Sequence, residues 1–178
     1  MFAITERLLL RPGWMEDAPA LSRAIGEEAI VRNLSRAPWP YALGDAQTFL
    51  ASPRDPLRPN FLICRRDDAA IVGGIGLIGA SDADEAELGY WIGSAHWGHG
   101  YATEAGRAVV AIADASLRIP RLRASHALDN PASGRVLAKL GFRQGALGRI
   151  HSIGRGGEME VRLFSRDRRS VVEQALAA

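Results

Sequence analysis

The chain is poor in the features that mark several classes of protein. Its 178 residues include a single cysteine, Cys64, so no disulfide can form within the chain and a disulfide-stapled scaffold is excluded. No apolar run approaches the roughly 20 residues of a membrane-spanning helix, and the N-terminus lacks the charged region and apolar core of a secretory signal. We therefore expect a cytoplasmic protein that has no membrane partner.

Lysine and clustered basic charge are also scarce. Of the 22 basic residues 21 are arginines, spread from Arg7 to Arg169 among 20 acidic residues, which leaves a net charge of +2. Aromatic residues do not alternate with these arginines, as a surface that stacks nucleobases would require. Histidine and cysteine show no metal-ligand spacing and no H-E-x-x-H pattern. We expect no specific nucleic-acid partner and no metal.

No internal repeat, low-complexity tract or long linker divides the chain, so residues 1–178 are expected to form a single domain. Hydrophobic residues make up 47% and charged residues 24%, which is typical of a globular domain. Hydrophobic periodicity and turn residues predict strands at 7–11, 60–66, 70–79, 85–93, 122–127, 142–147 and 158–165. Helices are predicted at 17–25, 45–51, 100–116 and 131–140. This mixture predicts an α/β or α+β domain of three layers.

The most informative segment is ELGYWIGSAHWGHGYATEA, residues 87–105. Apolar residues at alternate positions predict a strand, Gly98 and Gly100 then permit a tight turn, and a helix follows. A helix N-terminus preceded by glycines is suited to bind an anion, because its first N–H groups lack partners and the helix dipole is positive there. The segment therefore predicts a cradle for a phosphate-bearing ligand.

Two common phosphate-binding motifs do not fit this segment. A dinucleotide-binding G-x-G-x-x-G turn precedes an acidic residue by about 20 positions, whereas here the third glycine and the acid are missing. No G-x-x-x-x-G-K-[ST] occurs, so a P-loop is excluded. The segment WGHGYA, Trp97 to Ala102, instead resembles the [QR]-x-x-G-x-[GA] pyrophosphate loop of the GNAT acyltransferase superfamily. Trp97 replaces the usual Gln or Arg, as in the W-G-x-G-Y-A-T-E-A sequences of the RimJ/RimL branch of ribosomal-protein N-terminal acetyltransferases.

Other segments resemble the same branch, in the same order along the chain. TERLLLRP at 5–12 is similar to its T-x-R-L-x-L-R opening, and NPAS at 130–133 with VLAKLGF at 136–142 is similar to its N-x-x-S…L-x-K-L-G-F segment. GEMEV at 157–161 and LFS at 163–165 resemble its last strand. The resemblance implies the GNAT fold, in which a mixed, mostly antiparallel sheet is splayed between two parallel strands and carries helices on both faces.

The resemblance also implies that acetyl-CoA is the co-substrate. Its pyrophosphate is expected at the glycine loop and the helix start, formed by Trp97, Gly98, His99, Gly100, Tyr101, Ala102 and Thr103. Its pantetheine arm is expected to meet main-chain donors of Trp91, Ile92 and Gly93, one of which would stabilise the oxyanion of the tetrahedral intermediate. Asn130 is expected to bind the pantetheine, and it is equally suited to cap the helix that follows it.

Acetyl transfer to an amine requires a neutral nucleophile, although α-amines have a pKa near ~8 and lysines near ~10.4. By resemblance Glu87 is the first candidate for the general base and Glu160 the second, while Glu85 and His151 are weaker candidates. Glu87 and Glu160 could equally be solvent-facing strand residues. Ser133 is the candidate proton donor to the CoA thiolate, or a simple contact at the helix start, since no tyrosine lies in that segment.

The acceptor stays open at this level. Trp39 and Tyr41, in a proline-rich segment, could line the acceptor pocket or could pack beneath a loop. The acceptor partner is a primary amine, either a protein N-terminus or a small molecule, and the chain is expected to be a monomer or a homodimer. Transfer is expected to be direct, in a ternary complex. The alternatives are a non-catalytic acyl-CoA-binding regulatory module with the same fold and, from the arginine count alone, a nucleic-acid-binding domain.

Overall fold

Eight strands and five α-helices make up the described part of the chain, residues 1–79 and 84–168 of a computed structural model. The strands are β1 Ala3–Ile4, β2 Leu8–Arg11, β3 Asn60–Arg65, β4 Ile71–Ile78, β5 Glu85–Ile92, β6 Arg121–Ala127, β7 Arg143–Ser152 and β8 Gly157–Asp167. The helices are α1 Ala18–Ile25, α2 Glu28–Val31, α3 Leu43–Ala51, α4 Tyr101–Ala115 and α5 Pro131–Lys139. Within the two described ranges, no helix is both long and apolar enough to cross a membrane.

All eight strands belong to one sheet, in the order β1-β2-β3-β4-β5-β6-β8-β7. The neighbours are antiparallel except for β5 and β6, which run parallel because α4 crosses over between them. The parallel pair is in register only from Glu85 opposite Arg121 to Glu87 opposite Arg123. Beyond Glu87 the two strands part, so a gap opens in the middle of the sheet. The predicted mixed, mostly antiparallel sheet with a splayed parallel pair is confirmed.

The hydrophobic core lies on both faces of this sheet. On one face α4 and α5 pack against the strands, and Leu88, Val109 and Leu137 are buried together there. On the other face α1 and α3 cover the first strands through a second cluster that includes Leu21 and Leu62. Because successive strand residues point to opposite faces, β3, β4 and β5 each contribute to both clusters.

The predicted elements are present, with two omissions and one change of length. β1 has two residues and α2 has four, which is too short for either period to show in the sequence. β7 was predicted to end at residue 147 but continues to Ser152. Its pairing with β8 shifts register between Gln144 and Leu147. Such a bulge breaks the simple alternation that a sequence pattern can follow.

Candidate active site

The glycine turn lies between β5 and α4, beside the gap in the sheet. Gly98 and Gly100 have φ of +80° and +79°, and Gly100 is the N-cap residue of α4. A Cβ at Gly98 would meet nothing within 4 Å, so the backbone conformation, rather than lack of space, requires glycine there. The turn leads directly into a helix of 15 residues. Its first N–H groups lack partners within the helix, an arrangement that would suit the predicted anion.

A carboxylate from α4 ties this turn to the N-terminal segment. Glu104 accepts hydrogen bonds from Thr5 Oγ1 at 2.6 Å, from the Arg7 backbone N–H at 2.9 Å and from Arg7 Nε at 2.8 Å. Arg7 Nη1 also donates to the His99 carbonyl at 3.0 Å, and its guanidinium lies 4.8 Å from the Tyr101 ring centroid. Burial raises the pKa of Glu104, but the hydrogen bonds from Thr5 and Arg7 outweigh it and lower the pKa overall.

Trp97 and His99 make further contacts that hold the loop in place. The Trp97 indole N–H donates to the Ile92 carbonyl at 2.7 Å, which holds the loop against the end of β5. His99 Nδ1 lies 2.9 Å from the Trp97 carbonyl, and the His99 ring stacks on Tyr101 with centroids 5.6 Å apart. Trp97 is thus a loop-forming residue whose ring remains half exposed.

The backbone of β5 offers fewer donors to the gap than the sequence suggested. The Gly93 N–H donates to the Val72 carbonyl at 2.9 Å, contrary to the expectation that it faces the cofactor. In an antiparallel ladder the direction of the N–H groups alternates, so the Trp91 amide also points to β4. The amides of Tyr90 and Ile92 then point toward β6 and the gap. Of the three predicted donors, Ile92 alone keeps a suitable direction.

At the start of α5, two hydroxyl groups meet. The Asn130 side-chain oxygen accepts from the Ser133 N–H at 3.3 Å, which confirms the predicted capping role of Asn130. The Tyr90 hydroxyl oxygen lies 2.7 Å from the Ser133 Oγ and 3.1 Å from the Ser133 carbonyl oxygen, so both are possible acceptors for its single hydrogen. Burial raises the pKa of Tyr90 to about 12, against the lowering effect of the hydrogen bond with Ser133. Tyr90 was not among the predicted site residues, although alternation places it on the same face of β5 as Leu88 and Ile92.

The candidate bases are separated from this hydroxyl pair. Glu87 is exposed and lies on the face of β5 opposite Tyr90. Glu160 is exposed on β8, and its side chain lies 3.7 Å from the Arg149 guanidinium. Among the described residues, no hydrogen bond or ion pair joins either carboxylate to Ser133. The weaker candidates have their own partners: Glu85 pairs with a β6 arginine, and His151 lies 3.9 Å from Glu158.

A cavity of about 520 Å³ opens between α2, the glycine loop and the start of α5. Its lining comprises Glu28, Ala29, Arg32, Asn33, Trp97, Asp129 and Asn130. Four of these residues come from α2 or the turn after it, and none of the four was predicted from the sequence. Within the described residues, no three histidine, cysteine or acidic side chains are grouped so as to hold a metal.

An ion-pair network holds the rim of this cavity together. Asp129 pairs with Arg32 at 3.0 Å and with Arg155 at 2.8 Å. Arg155 Nε also donates to the Arg32 carbonyl at 2.6 Å. The hydrogen bond from Arg155 lowers the pKa of Asp129. The network joins α2, the turn after β6 and the turn between β7 and β8, three segments that are distant in sequence.

The predicted acceptor contacts lie in the segment between α2 and α3. Trp39 is 41% exposed. Tyr41 packs against the cluster that includes Leu21 and Leu62 and against a smaller cluster formed by Ile25, Ile30, Val31 and Ala37, and burial raises its pKa to about 12. Neither residue lines the 520 Å³ cavity. Tyr41 therefore contributes to packing, while Trp39 remains a candidate contact at the surface.

Comparisons with known proteins agree with this geometry. A family model described as an acetyltransferase (GNAT) domain matches residues 7–143. The N-acetyltransferase YoaA of Bacillus subtilis is 30% identical over 171 residues, which cover 93% of this chain and 97% of YoaA. A GNAT-family acetyltransferase of Bacillus anthracis superposes with a TM-score of 0.82 at 20% identity, over 95% of this chain and 99% of that one. RimJ of Mycobacterium smegmatis, solved with CoA-disulfide, superposes with a TM-score of 0.77 at 21% identity, over 93% and 86%. At these identities the two structures show a shared fold.

Proposed function

The chain belongs to the GNAT acetyltransferase family and is an N-acetyltransferase, and we propose that it transfers the acetyl group of acetyl-CoA directly to a primary amine within a ternary complex. The observation that carries this proposal is the position of the glycine turn. Gly98 and Gly100 open α4 just after the end of β5, past the point where β5 and β6 part, so the turn that would hold the phosphates follows directly on the unpaired part of β5.

In this proposal the pyrophosphate of acetyl-CoA binds the amides of Gly98 to Ala102, and the Thr103 hydroxyl adds a further donor. The positive end of the α4 dipole favours the negative charge of the phosphates. Arg7, which holds the His99 carbonyl, fixes the conformation of the loop and adds positive charge beside it. The exposure of Gly98 and Gly100 leaves this surface open to a ligand.

The pantetheine arm would lie along the gap between β5 and β6, where it can pair with unpaired backbone groups. The amides of Tyr90 and Ile92 point into this gap, and Asn130 lies at its far side. The thioester carbonyl then sits against a main-chain donor of β5, which stabilises the oxyanion that forms when the amine attacks. The departing thiolate would lie near Ser133, whose hydroxyl is the proposed hydrogen-bond donor to the sulfur.

The attacking amine must lose a proton, and Glu87 remains the first candidate to accept it. Glu87 is exposed on the face opposite Tyr90, so it would act on an amine that approaches from the α1 and α3 side, through a bound water. Glu160, on β8, is the second candidate. Glu87→Gln should lower turnover most at low pH while acetyl-CoA binding is unchanged; equal rates for the variant and the native protein at every pH would remove Glu87 from the mechanism.

The proposed acceptor is a primary amine that enters through the 520 Å³ cavity. The carboxylate of Glu28 lies on its lining and would attract an amine in its cationic form before it is deprotonated, whereas the charge of Asp129 is already balanced by Arg32 and Arg155. A protein N-terminus and a small-molecule amine are both compatible with this charge. The exposed Trp39 is a candidate contact for the remainder of the acceptor.

The proposal is tested by thiol release from acetyl-CoA, corrected for hydrolysis, against a panel of peptides with different N-termini and of small amines. Calorimetric titration with acetyl-CoA is run in parallel. We expect binding of acetyl-CoA and release with one class of acceptor. Binding of acetyl-CoA without release for any amine would contradict the proposal and favour the acyl-CoA-binding regulatory module.

A further inference from the structure

The contact between Tyr90 and Ser133 bridges two elements that border the gap. Tyr90 belongs to β5, beyond the last residue that pairs with β6, and Ser133 lies in the first turn of α5. Their hydroxyl oxygens are 2.7 Å apart, which is the usual length of a strong O–H···O hydrogen bond. Both side chains are half-buried, so water competes weakly for this bond.

The direction of the hydrogen bond follows from the chemistry of the two groups. A phenol is a stronger acid than an alcohol, and the arrangement in which the phenol donates is therefore the stronger one. Tyr90 has a single hydroxyl hydrogen, and both of its possible acceptors, Oγ at 2.7 Å and the carbonyl at 3.1 Å, belong to Ser133. When Tyr90 donates to Oγ, the hydrogen of Ser133 must point to a different acceptor.

We infer that Tyr90 is a positioning residue for Ser133: it donates its hydroxyl hydrogen to Ser133 Oγ and so directs the Ser133 hydroxyl hydrogen toward the sulfur of CoA. This inference rests on the proposed function, in which acetyl-CoA lies in the gap. When the tetrahedral intermediate collapses, the C–S bond breaks and its electron pair stays on sulfur. The thiolate accepts the hydrogen bond from Ser133 and is then protonated by solvent water, and the resulting hydroxide is neutralised by the proton that the attacking amine gave to the general base. Neither hydroxyl is consumed.

The raised pKa of Tyr90 agrees with this role. With a pKa of about 12, the Tyr90 phenol stays protonated, and so remains a hydrogen-bond donor, throughout the pH range in which a thiol of pKa ~8.5 titrates. A donor that is aimed before the charge develops stabilises that charge without reorganisation at the moment of reaction. Ser133 alone could rotate its hydroxyl hydrogen freely, and removal of Tyr90 would restore that freedom.

The first test needs no acceptor and uses free CoA, with acetyl-CoA as the ligand that lacks a thiol. Calorimetric affinities are measured between pH 7 and 9.5 for the native protein, Tyr90→Phe and Ser133→Ala. A donor to the thiolate favours the ionised thiol, so the native protein should bind CoA about tenfold more tightly relative to acetyl-CoA at the upper pH than at the lower. Both variants should lose most of this rise. A rise that persists in Tyr90→Phe would overturn the inference.

The second test is turnover with the acceptor that the native protein accepts. Tyr90→Phe and Ser133→Ala should each lower kcat about tenfold, with the KM for acetyl-CoA changed by less than about twofold. Because the two hydroxyls act as a unit, the double variant should lose little more than either single variant. Ser133→Thr, which keeps a hydroxyl, should recover part of the loss.

The outcomes separate the inference from the proposed function. Thr48→Ala is the matched control, since it removes a hydroxyl that donates to the Gly44 carbonyl of its own helix. Thermal melting establishes that each variant is folded. A kcat of Tyr90→Phe within twofold of the native value, or losses that multiply in the double variant, would overturn the inference while native turnover still supports the proposed function. Native CoA binding without turnover would contradict the proposed function, and the pH dependence of CoA affinity would still decide the role of Tyr90.

Discussion

Gly98 and Gly156 share a backbone conformation but not a location. Their φ angles are +80° and +65°, and a Cβ at either position would meet nothing within 4 Å. The cost of an alanine there is the cost of a left-handed conformation, about 1–2 kcal/mol per residue. The two positions therefore separate the effect of a substitution on folding from its effect on the loop that borders α4.

The first prediction uses this pair. Gly98→Ala and Gly156→Ala should lower the free energy of unfolding by similar amounts, about 1–2 kcal/mol, measured by urea denaturation. Gly98→Ala should in addition weaken acetyl-CoA binding about tenfold or more in calorimetry, because the loop amides can no longer converge on one phosphate. Equal affinities in the two variants would show that the turn does not bind the cofactor.

The second prediction concerns Glu104, whose carboxylate accepts three hydrogen bonds from Thr5 and Arg7. Its pKa is lower in the folded state than the ordinary value near ~4.3 of an unfolded chain. Folding therefore favours the ionised form: the stabilisation is complete above the unfolded pKa and is lost as the pH falls through the folded pKa. Glu104→Gln should lower stability at pH 7 by about 1–3 kcal/mol and should flatten the acid limb of a plot of stability against pH.

The control for Glu104 is Glu16→Gln, at an exposed position before α1. It should change the stability at pH 7 by no more than about 0.5 kcal/mol, as expected for an exposed surface position. A Glu104→Gln variant with the same acid limb as the native protein would show that the carboxylate does not link the N-terminal segment to α4.

At the scale of elements, two ion pairs connect neighbouring strands and helices, and one pair is much more buried than the other. Arg166 of β8 is 5% exposed and forms two hydrogen bonds of 2.8 and 2.7 Å with Asp114 of α4. Arg121 of β6 pairs with Asp167 of β8 at 2.7 Å, but its side chain is 52% exposed. Removal of one partner leaves a buried charge uncompensated in the first pair and a solvated charge in the second.

The third prediction compares these two pairs. Asp114→Ala should lower the free energy of unfolding by about 3–5 kcal/mol, because the buried Arg166 guanidinium loses the carboxylate that balances its charge. Arg121→Ala should lower it by about 1 kcal/mol or less. Urea denaturation measures both. Similar losses in the two variants would mean that the α4–β8 contact contributes no more than a surface pair.

The ion-pair network around Asp129 also connects separate elements of the fold. Arg32 and Arg155 bring α2 and the β7–β8 turn to the same carboxylate, and both Arg32 and Asp129 line the 520 Å³ cavity. The position of α2 therefore sets the width of this cavity. A change in the network should alter acceptor binding before it alters acetyl-CoA binding.

At the scale of the whole molecule, the position of Cys64 argues for direct transfer. Cys64 lies on β3, is 1% exposed and packs in the cluster beneath α1 and α3. Burial raises the pKa of its thiol, which opposes formation of a nucleophilic thiolate. The chain has no other cysteine that could carry the acetyl group.

The fourth prediction follows from this placement. Initial rates measured with varied acetyl-CoA at several acceptor concentrations should give intersecting double-reciprocal lines, as expected for a ternary complex. Cys64→Ala should keep kcat within about twofold of the native value, with some loss of stability from the small cavity. Parallel lines, together with loss of activity in Cys64→Ala, would instead indicate an acetylated cysteine.

Much of the fold and part of the site could be predicted from the sequence. Period-two alternation and glycine positions are local properties, so they identified β5, the turn and α4 to within a residue or two. α2 and β1 were missed because four and two residues carry no readable period. The Gly93 amide was assigned the wrong direction because the side to which an N–H points depends on the partner strand.

The sequence by itself determined the family, the single mixed sheet and the glycine turn at the start of α4, because each is written in residues that are neighbours along the chain. The tertiary structure alone decided which side chains meet. Tyr90 and Ser133 are 43 positions apart, and Arg7 and Glu104 are 97 apart. Contacts of this kind form only when the sheet brings distant segments together, and no local pattern records which partner a hydroxyl or a carboxylate will find.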